Sequence, residues 1–207
     1  MADLPIASCR RARLAGVTAS GAEPYWAASE KLPLTENISG NAPAQGTTVR
    51  AAWDEKELRI LFDATDPDPW ATVTTRDGPL YTEEVLEAFI DSFGDLQTYF
   101  EIEVNPLNTV LDLIVRRNRS GYLKDFAWQC EGLRTAVTKP PHGWMAEMSL
   151  PFASLTSEPV REGAEWRVNF LRIDRPKGRE RELSAWSATR VGTFHVPQKF
   201  GRVRFVG

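Results

Sequence analysis

The sequence predicts an all-β domain, a two-sheet antiparallel β-sandwich of jelly-roll type with immunoglobulin-like proportions. Three observations lead there. Apolar and polar residues alternate along most of the chain, the period of a strand with one buried face. Helical periodicity is almost absent. The alternating runs recur at roughly the spacing of sandwich strands, with polar turns between them.

The elements follow in chain order. Residues 24–32 (PYWAASEKL) predict a short helical turn. Residues 47–66 predict a hairpin. Val49, Ala51 and Trp53 share one face, DEKE makes the turn, and Leu58, Ile60 and Phe62 share a face beyond it. Residues 83–93 (EEVLEAFIDSF) predict a strand of mixed apolar and acidic character. Residues 98–117 predict a second hairpin, with Phe100, Ile102 and Val104 on one side and Glu101 and Glu103 on the other. Its turn is NPLN, where proline presets φ and asparagine favours turn backbone. GLRTAVT and WMAEMSLPF flank the corner KPPHG, in which His142 is a turn residue. SLPFASL adds a second helical turn. EWRVNFLRIDR (165–175) is another strand, and GRERELSAWSA and GRVRFVG close the chain. With no internal repeat, low-complexity tract or Pro/Gly linker, the reading is one domain over residues 1–207. Residues 1–20 form an N-terminal extension or a first edge segment.

A formal net charge of -3 argues against nucleic acid or a membrane surface as the main partner. The basic run Arg116-Arg117-Asn118-Arg119 reads as a solvated patch. No apolar run is long enough to span a membrane. The first residues lack the apolar stretch of a signal peptide, so the chain is either cytoplasmic as written or separated from an export signal. Cys9 and Cys130 form no disulfide framework and have no metal-ligand spacing, though a bond between them is open.

Most catalytic chemistries lack their residues. There is no G-x-S-x-G elbow, no H-E-x-x-H or Cys/His cluster, and no glycine-rich phosphate loop after a strand. Haem would require His or Met ligands, and Met148 of the Met145/Met148 pair fits a core position better. No organic cofactor is expected. Carboxylates are plentiful: Glu83, Glu84, Glu87, Asp91, Glu101, Glu103 and Glu147. Paired carboxylates are the machinery of glycoside hydrolysis, but these residues also suit a solvated face or oxygen ligation of Ca²⁺. The acidic turn DATDPDP offers Asp63, Asp66 and Asp68 to such a cation, or simply favours a Pro-rich turn.

Taken in order, the segments resemble carbohydrate-binding module family 9, in particular its stand-alone bacterial members. RAAWDEKELRILFDATDPD (50–68), RDGPLYTEEVLEAFID (76–91), YFEIEVNPLNTVLDL (99–113) and GWMAEMSLPFASL (143–155) carry the resemblance. WRVNFLRID, AWS and FHVPQKFGRVRF complete it, over residues 20–207. The resemblance implies a two-sheet antiparallel sandwich that grips the ends of sugar chains, of xylan or glucan type, between two aromatic rings. It implies a non-catalytic role in polysaccharide breakdown, structural Ca²⁺ in several members, and an extracellular or periplasmic setting. The clamp falls on Tyr81 and Phe194. The hydroxyl-bonding acid falls on Glu87 and an asparagine on Asn105, with His195 as a polar lip. Departures from the family pattern are smaller rings where tryptophans stand, and Glu103 near an arginine position. Sugars show apolar C–H faces ringed by hydroxyls, so flat rings plus a few aimed polar groups are the matching chemistry. In one continuous strand, Tyr81, Glu83 and Glu87 would share a face with Val85 and Phe89. A clamp ring on such a cleft would support little core. Two other functions stay open: a glycoside hydrolase, and an interaction or structural sandwich with a degenerate cleft.

Overall fold

The structure, a computed structural model, describes residues 4–119 and 121–207. It is all-β. Strand β1 (Ile6–Arg11) is followed by one turn of helix, α1 (Pro24–Ala28), and two short strands, β2 (Leu32–Pro33) and β3 (Thr35–Glu36). The first predicted hairpin is β4 (Thr47–Trp53) and β5 (Glu57–Thr65), closed by Asp54, whose Oδ1 accepts the N–H groups of Lys56 and Glu57. A 3₁₀ turn (Leu80–Thr82) precedes β6 (Val85–Asp91). Next come β7 (Thr98–Val104), β8 (Val110–Asn118), β9 (Gly121–Asp125), β10 (Arg134–Thr138) and β11 (Gly143–Pro151). After a helical turn, α2 (Phe152–Leu155), the chain ends with β12 (Glu165–Asp174), β13 (Glu182–Ala185), a 3₁₀ turn (Pro197–Lys199) and β14 (Gly201–Val206).

The expected pair of separate antiparallel sheets is not what the hydrogen bonds draw. The strands form one continuous mixed sheet in the order β10-β11-β5-β4-β1-β14-β12-β6-β7-β8-β9. Its two halves are antiparallel inside. They are joined by β1, which runs parallel to β14 from Ile6 to Arg10 and parallel to β4 at Arg10 and Arg11. The segment read as an extension or edge is therefore an interior strand. Its signal is weak because only the small residues Ala7 and Cys9 point inward.

The sheet curls so that the halves face one another across the main core. Phe62 of β5 meets Phe170 of β12 edge-on, with ring centroids 6.1 Å apart, and Leu86, Ile102, Met148 and Phe205 fill the same layer. Alternation puts these residues on one face of each strand. Both outer faces carry a further apolar cluster. On β4–β5–β11, Trp26 of α1 covers Ala52, Leu61 and Met145. Beside it the guanidinium of Arg59, fully buried, donates to Glu147 at 2.6 Å and to Glu57. On β6–β7–β8–β12, Phe89, Tyr99, Leu113 and Leu171 are covered by Phe194 and Phe200 from the last loop. That cover explains the mixed sequence of β6, whose seven residues are all buried.

Cys9 and Cys130 are both free and buried. His142 is exposed and its Nε2 lies 2.7 Å from Asp63 Oδ1. Arg116 and Arg117 stand exposed at the end of β8, and Arg116 reaches Asp125 of β9 at 3.4 Å.

Candidate functional site

The outer face of β6 and β7 carries a small cleft. Residues Val85, Glu87 and Phe89 of β6 point outward, as do Tyr99, Glu101 and Glu103 of β7; Leu86, Ala88, Phe100 and Ile102 point into the main core. Antiparallel register sets Glu87 opposite Glu103 and Phe89 opposite Glu101. Directly opposed side chains on one face are the closest neighbours a sheet offers, so three carboxyl groups meet on this floor, with ligand atoms within 4.8 Å of one another.

The walls come from three segments. The 3₁₀ turn presents Tyr81, 42% exposed. The loop 192–196 lays Phe194 edge-on against Phe89 at 6.5 Å and stacks His195 on Phe89 at 5.2 Å. Strand β9 sends Lys124 inward, its Nζ 3.0 Å from Glu101 Oε1 and 5.6 Å from the centre of the Tyr81 ring. The open cleft has a volume of about 150 Å³, and Ile173, Leu183 and Arg181 complete the lining. Drug-sized sites run to roughly 300–1,000 Å³, so this cleft suits a single ring.

His195 is held from two sides. Its Nδ1 lies 2.6 Å from the Tyr99 hydroxyl, and its backbone carbonyl accepts from the Tyr122 hydroxyl. Burial lowers its pKa and favours the neutral ring. It is a fixed polar lip rather than a free base.

The floor is electrostatically loaded. Burial pushes Glu87 well above the usual carboxylate range, and the charge of Glu101 adds to this; Lys124 only partly offsets it. Glu103 rises for the same reason, burial first, then the charges of Glu87 and Glu101. Lys124 is held above its ordinary value by Glu101 despite its own burial. Among the described residues, no donor reaches Glu87 Oε1 or Glu101 Oε2, and Glu103 has only a carboxyl–carboxyl contact with Glu101.

The residues singled out in the sequence divide clearly. Tyr81, Glu87, Phe194 and His195 line one cleft. Tyr81 and Glu83 do not belong to strand β6, so shared strand parity is not what brings Tyr81 near Glu87; the 3₁₀ turn does. Phe194 is only 6% exposed and belongs to the outer apolar cluster, so it supports core as well as cleft. Asn105 does not line the cleft. Its Oδ1 accepts the N–H groups of Leu107 and Thr109, each at 3.0 Å, and its Nδ2 donates to Val73 O at 2.8 Å. It builds the β7–β8 turn, a common use of asparagine. Lys124 and Arg181 were missed.

The other acids are committed to structure. Glu83 accepts from Thr72 and Val73 N–H at 2.7 and 3.1 Å, which pins the loop before the 3₁₀ turn. Asp91 caps the turn after β6 through the N–H groups of Phe93, Gly94 and Leu96. Glu147 pairs with Arg59. The aspartates of DATDPDP separate: Asp63 turns to His142, Asp68 to Lys177 at 3.0 Å, and Asp66 inward. There Asp66 meets Glu84 and Asp174, again within 4.8 Å, with Arg172 at 2.9 Å from Asp66 and 3.1 Å from Asp174. Burial raises Glu84 to about 8, and the charges of Asp66 and Asp174 add to it.

Fold and cleft together mark a class: an all-β binding domain whose site, walled by aromatics and floored by carboxyls, lies on an outer sheet face. The family model described as carbohydrate family 9 binding domain-like matches residues 19–207, and the chain belongs to that family. Among solved structures it is similar to a family 9 carbohydrate-binding module from Caldicellulosiruptor kristjanssonii in complex with cellotriose. That match has 15% identity and a TM-score of 0.74, and covers 98% of this chain and 94% of that one. A module of that organism in complex with glucose gives 16% identity and a TM-score of 0.69 over 97% and 96% of the two chains. A protein from Bacteroides uniformis is similar at 16% identity and a TM-score of 0.79, over 98% of this chain and all of that one. No curated protein matches.

Proposed function

We propose that the protein is a non-catalytic sugar-binding domain that takes the end of an oligo- or polysaccharide, of xylan or glucan type, into the cleft between Tyr81 and Phe194. The carrying observation is that Tyr81, Phe194, His195 and Glu87, drawn from three separate segments, line a cavity of about 150 Å³. Ring faces receive the C–H side of a sugar and Glu87 accepts from its hydroxyls. Family membership supports this reading, as do the cellotriose and glucose complexes of the similar modules. The halves of the curled sheet serve as the two layers of a jelly-roll-like sandwich and hold the cleft floor rigid.

Hydrolysis is not the reading. Paired glycosidase carboxyls flank the scissile bond, whereas Glu87, Glu101 and Glu103 stand side by side on the floor of one sheet face rather than on either side of a bound ring.

A structural Ca²⁺ belongs to the proposal at a different place from the turn aspartates alone. Asp66, Glu84 and Asp174 offer hard oxygen donors, and one guanidinium, Arg172, faces three acids. Burial first, and then the charges of Asp66 and Asp174, hold Glu84 toward its protonated form, which a bound cation would reverse. Chelation should then lower the melting temperature, and Glu84→Gln should remove that sensitivity; an unchanged melt sinks the metal.

The test of the main proposal is calorimetric titration with glucose, cellobiose and xylobiose on the native chain and on Tyr81→Ala. Saturable binding weakened by the substitution supports the cleft. Unchanged affinity in Tyr81→Ala overturns it.

A further inference from the structure

The cleft floor holds more carboxyl groups than a neutral sugar needs. Three buried carboxyls converge there, Glu87 at 2% exposure, Glu101 at 2% and Glu103 at 0%. Among the described residues the one close counter-charge is Lys124, bonded to Glu101 Oε1. Arg181 lies at the exposed rim. Among the described residues, Glu87 Oε1 and Glu101 Oε2 have no donor, and Glu103 meets only the carboxyl of Glu101. Burial holds Glu87 and Glu103 toward the protonated form, and a cation bound in the cleft would supply the counter-charge that lets them ionise. These acids are not recruited to a turn or a cap, unlike Glu83, Asp91 and Glu147. They face the cavity instead.

We infer that the cleft selects a sugar end carrying a primary ammonium group, an aminohexose, and that Glu87, Glu101 and Glu103 receive that group. The inference rests on the sugar-binding reading above and adds the class of sugar. A hydroxyl donates one hydrogen bond and brings no charge. An ammonium donates three and brings a full positive charge, and its bonds to carboxylates are the strong, charge-assisted kind. Three acids with Lys124, one ligand ammonium and one proton retained among the carboxyls make a neutral site. The Tyr81 ring already faces the Lys124 ammonium at 5.6 Å, and an aromatic face near a second cation adds attraction of the same sign.

The lining favours an organic cation over a metal ion. Ca²⁺ takes six to eight oxygen ligands. Beyond the three acids the cavity is walled by Phe89, Ile173, Leu183 and Phe194, and a Lys124 ammonium stands 3.0 Å from one of the carboxyl oxygens. Apolar walls suit the C–H face of a pyranose ring and contribute nothing to a hard dication.

The experiment is calorimetric titration of the full chain at about pH 6, below the usual range of such amines, with glucosamine, N-acetylglucosamine and glucose. Glucosamine should bind at least about tenfold tighter than either neutral sugar, since tenfold is what one modest charge-assisted contact supplies. Added salt should reduce that preference. In Glu103→Gln, and in Glu101→Gln as a second variant, the ratio of glucosamine to glucose affinity should fall toward one, with folding checked by thermal melt. If glucose binds as well as glucosamine, the charge selectivity is wrong and the sugar cleft stands. If no sugar binds at all, both readings fall. A parallel titration with CaCl₂ that saturates, and is lost in Glu103→Gln, overturns the inference by making the three acids a metal site.

Discussion

Phe194→Ala separates two jobs that one ring performs. The side chain is 6% exposed and packs edge-on against Phe89 at 6.5 Å, in the cluster that includes Tyr99 and Phe200. Emptying a buried phenylalanine site costs about 3–5 kcal/mol. Phe194 sits on a loop that can settle into the gap, so the lower end, about 3 kcal/mol, is expected. For a domain of this size each kcal/mol moves the melting temperature by about 2–4 °C, giving a loss of about 6–12 °C. Tyr81→Ala is the control. Its ring is 42% exposed, and surface changes of that kind usually stay within about 0.5 kcal/mol. Differential scanning calorimetry on the two variants, with sugar titration beside it, reads both effects. The expected pattern is weakened sugar binding in both and a large loss of stability only in Phe194→Ala. A shift below about 2 °C in Phe194→Ala would refute the packing argument, because it would mean the ring is not part of the outer apolar cluster.

Three more predictions follow from burial and charge. Arg59→Ala leaves Glu147 buried beside the lost guanidinium and should cost about 3–5 kcal/mol; urea unfolding with an unchanged midpoint contradicts this. Both thiols should resist Ellman's reagent in the native state and react on unfolding, since burial pushes Cys130 up to about 12 and Cys9 higher still; rapid native labelling of both would count against their burial. The raised carboxyl of Glu103 stabilises the fold most at low pH, below the ordinary carboxylate value of about 4.3, and that contribution fades as pH climbs through its higher folded value. Glu103→Gln, neutral at every pH, should therefore gain stability relative to the native chain as pH rises, and parallel melting curves from pH 5 to 8 would disprove it.

How far the sequence could be read is clearest strand by strand. The β4–β5 hairpin stood out because Val49, Ala51, Trp53, Ile60 and Phe62 alternate cleanly over one buried face. Strand β6 was legible as a strand yet misjudged in extent, since Glu83 and Glu84 look like its first residues but act as anchors for the loop before it. The resemblance brought Tyr81, Glu87, Phe194 and His195 to one place, although no local rule links residue 81 to residue 194. Asn105 failed because its neighbours Pro106 and Asn108 already announced a turn, and an asparagine there bonds its own backbone first. Lys124 was invisible for another reason: β9 is short and mostly exposed, and only its pairing with β8 turns that one lysine toward Glu101. The convergence of Glu87, Glu101 and Glu103 depends on register between two strands, which periodicity alone does not fix.

The parallel joint made by β1 sets the timing of folding. Ile6 pairs with Arg202, and Arg10 with both Val206 and Ala52, so β1 closes against β14, nearly two hundred residues later in the order of synthesis. During synthesis the half built on β4 and β5 can assemble early, while β1 waits with one edge unsatisfied until β14 has been made and is free of the ribosome. Contacts this distant in sequence slow folding, because the loop between them must be ordered before they form. An exposed strand edge held open for that interval is where the nascent chain is most vulnerable to pairing with another copy.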